Sequence, residues 1–268
     1  DPATLRAVGD HSPLLKRVSV ERVREELDRT LVHRDRRRGV ELLVETGLME
    51  HIMPEVLALR DCDQPPEFHP EGDVFVHTMI ALELLGDEVP VELALAVLRH
   101  DIAKPPTRTF DAEAGRVRFN GHDRSGAAMA EDILRRLRYS NDVIDAVREM
   151  VANHMKFMHV QDMRTAKLKR FMARPTFPGE LELHRVDCSS SHGMLDNLEF
   201  LEERAEQFAA EPLIPPPLVT GKDLIAMGFT PGPRFSEILE YVQTEQLEGR
   251  VRDPEDARAL VRAKFPTN

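Results

Sequence analysis

An apolar run that ends in a charged pair is the tightest constraint in this sequence. Leu93-Ala94-Leu95-Ala96-Val97-Leu98 leads through Arg99 into His100-Asp101, followed by Ile102-Ala103-Lys104-Pro105. A helix that is apolar all round belongs inside a protein. A carboxylate closing such a helix is costly to desolvate unless a partner compensates it. A divalent metal is one such partner, since imidazole and carboxylate together suit zinc, iron, manganese or nickel. Other histidines and aspartates occupy interpretable places nearby. His77 lies in Val74–Ile80, an amphipathic helix with Asp73 as its N-cap and a stop near Gly86. His122 opens a helix after Phe119-Asn120-Gly121, His154 ends the one begun at Asn141, and Asp187 falls in the segment Leu181 to Ser190. The other seven of the 11 histidines, His11, His33, His51, His69, His159, His184 and His192, are assigned to ordinary capping and core roles.

Helical periodicity dominates the rest of the chain. Ser19 caps a helix to about Leu31, and a second runs from Arg38 to Thr46, stopped at Gly47. The one alternating stretch, Arg116-Val117-Arg118-Phe119, is short and ringed by glycines. A Pro- and acid-rich loop spans Asp61 to Glu71, and Glu211-Pro212-Leu213-Ile214-Pro215-Pro216-Pro217 reads as a linker. Short helices follow at about Gly221–Met227, Arg234–Leu247 and Pro254–Ala263. The expected class is all-α, in three parts: residues 1–60, 61–210 and 211–268. Cys62 and Cys188 lack metal-ribbon or disulfide-framework spacing, and no apolar run approaches the ~20 residues of a membrane span. No secretory leader is visible either, so the expected setting is cytoplasmic, without a membrane partner.

The order His77, His100-Asp101, His122, His154, Asp187 resembles the HD superfamily of metal-dependent phosphohydrolases. That resemblance implies a helical HD bundle holding one or two divalent ions (Ni, Mn, Fe, Mg or Zn). His77, His100, Asp101 and Asp187 would complete one sphere, and His122 and His154 would add a second ion. Ala103 stands where HD proteins often have Gly, so a small residue is retained, and Asp123 replaces a common Glu. Three further segments narrow the family. Pro13–Leu27 with Leu42–Leu48 and Met53-Pro54-Glu55 resembles the neck of bacterial tRNA nucleotidyltransferases and poly(A) polymerases, the CCA-adding family. Gln64–Val74 is similar to the entry into that family's HD domain. Thr220–Leu224, Pro231-Gly232-Pro233 and Gln246–Gly249 resemble its C-terminal region. The resemblance implies neck helices on one side of the HD bundle and a small helical tail on the other. The family's nucleotidyltransferase head, with its Gly-Ser turn and paired aspartates, does not precede residue 1. Asp61-Cys62-Asp63 sits in a loop and does not replace it. The chain alone is therefore expected not to add nucleotides, and a separate head is a candidate partner.

The chemistry follows from these residues. A divalent metal neutralises phosphoryl oxygens and makes a bound water acidic near neutral pH. Asp101 suits the central catalytic place because a carboxylate can bridge two ions and an imidazole nitrogen cannot. Lys104 can aim its ammonium at a substrate phosphate, or stand as a solvated lysine favoured by the helix dipole. Arg108 is a weaker phosphate ligand. The leading expectation is a phosphomonoesterase or cyclic phosphodiesterase acting on a phosphate ester or nucleotide. The alternative is the tRNA-binding portion of a nucleotidyltransferase with a secondary or silent HD site. A lower alternative is a di-iron HD oxygenase, since the same ligands serve oxygen chemistry. The net charge of −11 argues against indiscriminate nucleic-acid binding. Local basic runs at Arg36, Arg37 and Arg38 and at Lys167, Lys169 and Arg170 are candidate RNA-backbone contacts. With aromatics at 5% and no Trp, shape and phosphate recognition of a folded RNA fits better than base stacking.

Overall fold

The computed structural model describes residues 1–266. The protein is helical, and its described residues divide into two compact units. The first comprises Asp1–Met158 and Pro178–Glu199, the second His159–Phe177 and the chain from Phe200 onward.

In the first unit, α1 (Pro2–His11) and a 3-10 turn (Ser12–Arg17) precede α2 (Val20–Val32) and α3 (Arg36–Glu45). Ser19 is the N-cap residue of α2, although its side chain makes no capping bond. The short α4 (Leu48–Ile52) and α5 (Pro54–Leu57) lead into the Pro-rich loop. There Asp73 accepts from the Val76 N–H at 2.8 Å and opens α6 (Val74–Glu83), which ends before Gly86. The other oxygen of Asp73 accepts from the Asp61 N–H, and Asp63 bridges Asp73, so Asp61 and Asp63 brace a helix entry.

The apolar run becomes α7 (Val91–Arg99), with every residue from Leu93 to Arg99 buried. It packs against α2, α6 and α10 (Asn141–Asn153), and α10 packs in turn on α9 (His122–Arg136). A short α8 (Lys104–Thr107) and a two-stranded hairpin, β1 (Thr109–Asp111) and β2 (Arg116–Arg118), connect α7 to α9. The hairpin pairs Phe110 with Val117, so the alternating Arg116–Phe119 stretch finds a partner strand in Thr109–Asp111. Leu27 and Leu31 of α2, Val40 of α3, and Leu183 and Val186 of α12 (Phe177–Ser190) share one core with α6, α7, α9 and α10. Packing therefore groups the N-terminal helices with the metal-type helices, without a break at residue 60.

The second unit contains α11 (Thr165–Met172), most of α13 (Asp196–Phe208), α14 (Gly221–Ala226), α15 (Pro233–Leu247) and α16 (Pro254–Lys264). Its own core includes Val219, Leu224, Ile238, Val242, Ala257 and Val261. Glu248, at the C-terminal end of α15, accepts through its side chain from the Ala166 N–H at 3.0 Å, satisfying an otherwise free donor at the start of α11. Residues 159–177 thus belong to the same compact unit as the tail.

Candidate metal centre

Five helical segments deliver the six ligand-type side chains to one place. His77 sits mid-way along α6; His100 and Asp101 follow the end of α7; His122 opens α9; His154 follows α10; Asp187 lies near the end of α12. All of them belong to the first unit. His77 and His100 are fully buried, and Asp101 and His154 are each 2% exposed. Asp187, with 22% of its side chain exposed, is the most open of the six and marks the mouth.

The atoms fall into two lobes around Asp101. In one lobe, His77 Nε2 lies 3.2 Å from His100 Nε2 and 3.1 Å from Asp187 Oδ1. Asp101 Oδ2 faces the same lobe, 3.2 Å from His100 Nε2 and 3.8 Å from His77 Nε2. In the other, His122 Nε2 lies 3.1 Å from His154 Nε2, and Asp101 Oδ1 is 3.4 and 3.9 Å from them. Ligands held at metal bonds of about 2.0–2.2 Å stand roughly 3 Å or slightly more from one another. Most of the observed separations are close to that.

The outer nitrogens decide which ring atom faces inward. His100 Nδ1 donates to the Val97 carbonyl at 2.8 Å, His122 Nδ1 to Phe119 at 2.7 Å, and His154 Nδ1 to Val151 at 2.6 Å. His77 Nδ1 donates to Glu71 Oε1 at 2.7 Å. With Nδ1 carrying the proton, each Nε2 presents its lone pair to the cluster. Two facing lone pairs at hydrogen-bond distance need a proton or a cation between them. Asp101 Oδ2 is buried beside the Lys104 ammonium, 2.7 Å away, without a hydrogen bond of good geometry. The donor set is compatible with a divalent metal.

The electrostatics without a cation point the same way. Burial alone pulls His77 down, but Asp187 and Glu71 outweigh it and hold the imidazole up at about 9. Burial and the neighbouring His100 push His154 down to about 4. Burial raises Asp101, yet His100 and Lys104 overcome it and hold the carboxyl well below its usual range. Positive charge is what this cluster favours at His77, and a metal ion would take the place of that proton.

Lys104 is buried, not solvated. Its Nζ lies 2.7 Å from Asp101 Oδ2 and donates to Gln64 Oε1 at 2.6 Å. Arg108 is exposed and, among the described residues, makes no hydrogen bond or ion pair with any of the six ligands. Three neighbours lie outside the expected ligand set. Glu71, held down to about 2 by its bonds to His69 and His77 against the effect of burial, orients His77. The hydroxyl of Ser190 lies 3.2 Å from His77 Nδ1. His69, assigned to an ordinary role, shares the Glu71 carboxylate at 2.9 Å. Glu71 and His69 occupy an irregular loop, where no periodicity marks a functional side.

The basic runs divide sharply. Arg36 is a correction: it is 1% exposed, and its guanidinium donates to the carbonyls of Leu31, Leu85 and Gly86 at 2.9, 3.0 and 2.8 Å. It ties the C-terminal ends of α2 and α6 together and offers nothing to a phosphate. Arg37 pairs with Glu41 and Glu83, and Arg38 with Glu41 and Glu45, so their charge is largely compensated. On α11, Lys167 is exposed, Lys169 lies over the Phe208 ring and Arg170 donates to Thr244. None of these three has an acidic partner among the described residues.

A helical bundle with this two-lobed His/Asp cluster is an HD-type domain, and residues 69–184 match the HD domain family. Residues 1–59 match the family described as "probable RNA and SrmB-binding site of polymerase A". The chain is 33% identical over 267 residues to the CC-adding tRNA nucleotidyltransferase of Thermus thermophilus, covering 96% of this chain and 61% of that protein. It is 34% identical over 254 residues to the A-adding tRNA nucleotidyltransferase of Deinococcus radiodurans, covering 90% and 57%. The multifunctional CCA protein of Cupriavidus metallidurans is 32% identical over 157 residues, covering 58% and 36%. The chain belongs with the tRNA nucleotidyltransferase-like HD proteins, and it spans about three-fifths of the length of the first two relatives. Among the described residues no helix is long and apolar enough to cross a membrane.

Proposed function

We propose that this chain is the RNA-holding portion of a tRNA nucleotidyltransferase-type protein, with tRNA or a tRNA-like RNA as its partner. The observation that carries this reading is the similarity over nearly the whole chain to two tRNA-extending enzymes, joined to an RNA-binding family match at residues 1–59. It displaces the expectation of a free-standing phosphohydrolase as the leading reading. The test is binding of tRNA and of a duplex DNA of similar length at low salt. Preferential tRNA binding that weakens steeply as salt rises is the expected result. No measurable tRNA binding would remove the proposal.

A second reading is favoured by the cluster itself: the HD site takes a divalent ion and hydrolyses a phosphate ester. When bound, such an ion supplies charge for the phosphoryl oxygens and acidifies a coordinated water. The chain's own residues would do the rest. Asp101 spans both lobes with its two oxygens, Glu71 and three backbone carbonyls fix the histidine rings, and Lys104 brings an ammonium to the anion. That ammonium beside the ligands favours an anionic substrate over the oxygen chemistry of a di-iron oxygenase. Screening phosphomonoesters and 2′,3′-cyclic phosphates with Ni²⁺, Mn²⁺ or Mg²⁺ tests it, with hydrolysis lost in Asp101→Ala. Hydrolysis that persists in Asp101→Ala would place the chemistry elsewhere.

A further inference from the structure

Gln64 is a buried side chain in the Pro-rich loop, 8% exposed, and none of the readings above gives it a role. Its Oε1 accepts from Lys104 Nζ at 2.6 Å, while that same Nζ lies 2.7 Å from Asp101 Oδ2. An ammonium has protons and no lone pair. Lys104 therefore fixes the amide orientation, with the oxygen toward itself and the NH₂ group turned away. The Nε2 so presented is buried and has no hydrogen-bond partner. A buried donor left unpaired is costly, so an acceptor at this point is strongly favoured.

The side chains around it say what kind of acceptor fits. Gln64 Oε1 and Asp101 Oδ2 both contact one ammonium, so the amide stands at the edge of the His77, His100 and Asp187 lobe. The Phe119 ring lies 5.6 Å from Lys104 Nζ and closes another side with an apolar surface. The protein's donors here are thus an ammonium and an amide NH₂, a combination suited to an oxyanion with several acceptor oxygens.

We propose that Gln64 is an oxyanion-binding and lysine-positioning residue of the HD site. Through Oε1 it holds the Lys104 ammonium against Asp101, and through Nε2 it donates to an oxygen of a phosphate group lodged beside the ligands. This rests on the reading of the cluster as a metal centre that accepts a phosphoryl group.

The test uses the full chain loaded with Co²⁺, whose visible spectrum reports the ligand field, and inorganic phosphate as the probe. Phosphate should perturb the spectrum of the unsubstituted protein saturably. Gln64→Leu, of similar size, should keep the Co²⁺ stoichiometry, yet weaken phosphate binding about tenfold or more, as expected for a lost bond to a charged acceptor. Gln64→Glu, which sets a carboxylate beside the anion, should weaken it further, and Gln64→His, which keeps an N–H donor, should recover part of the loss. Phosphate binding by Gln64→Leu equal to that of the unsubstituted, Co²⁺-loaded protein overturns the role of Gln64 and leaves the metal centre standing. A Co²⁺ site in the unsubstituted protein that is indifferent to phosphate overturns the phosphoryl reading, and this role with it.

Discussion

Asp101 gives each of its oxygens to a different set of histidines, so its loss should be felt in both lobes. Asp101→Ala is expected to abolish tight divalent-metal binding, read as metal content after dialysis; a retained ion would show that the lobes bind independently of it. His77 adds a proton linkage. Its folded value of about 9 lies above the ordinary imidazole value, so below about 9 an incoming ion must displace a proton. Metal affinity should therefore fall with decreasing pH, by up to about tenfold per unit for each proton released. Calorimetry in buffers of different ionisation enthalpy counts that proton, and pH-independent affinity between about 6 and 8 would contradict the linkage. Arg36 acts at the same scale with a different consequence. Its five donors reach carbonyls that the helices cannot satisfy themselves. Arg36→Ala should destabilise the protein by about 2–4 kcal/mol in urea denaturation. A change within about 0.5 kcal/mol would mean that water replaces those bonds.

Close approach of helices, not side-chain chemistry, brings the two lobes within reach. A Cβ built on Gly126 of α9 would meet Val151 at 3.3 Å, the His100 carbonyl at 3.5 Å and the Ala103 Cβ at 3.7 Å. The position tolerates little bulk, and the small residue retained at 103 has its reason in the same contact. Gly126→Leu should push α9 away from the His100–Ala103 turn and separate His122 from Asp101. We expect it to weaken metal binding more than Gly179→Ala does on α12, where the added methyl meets only the flexible Met150 side chain. Equal effects would show that α9 shifts without cost to the cluster. Most helices are legible from caps and periodicity, because Ser19, Asp73 and Gly121 stand at real helix starts. The ligands are legible because a charged residue at the end of an apolar helix has few alternatives. Glu71 and Gln64 are not, since both lie in a loop whose folding back onto α6 and α8 leaves no local pattern. The burial of Arg36 is equally hidden. Its acceptors at Leu82, Leu85 and Gly86 lie as far as 50 residues away, and a run of arginines looks the same whether solvated or buried.

On the scale of the whole molecule, charge is the main obstacle to binding RNA. A net charge of −11 repels a polyanion, so a local face with uncompensated cations has to do the binding. The α11 residues meet that condition and the α3 residues do not. Charge reversal at Lys167, Lys169 and Arg170 should weaken tRNA binding and lower the salt slope by about 1 for each phosphate no longer neutralised. Reversal at Arg37 and Arg38 should cost far less. The opposite ranking, measured by filter binding across a salt series, would put the RNA on the α3 side.

The guanidinium that joins the ends of α2 and α6 also bears on how the first unit opens. Because one cation holds the last turns of both helices, neither end can fray without releasing the other. In native-state hydrogen exchange the amides there should share one opening free energy and respond together to denaturant, as members of a single cooperative block. A cut placed near residue 60 would then divide a folding unit rather than separate two, leaving the His77 helix without the partner that closes it.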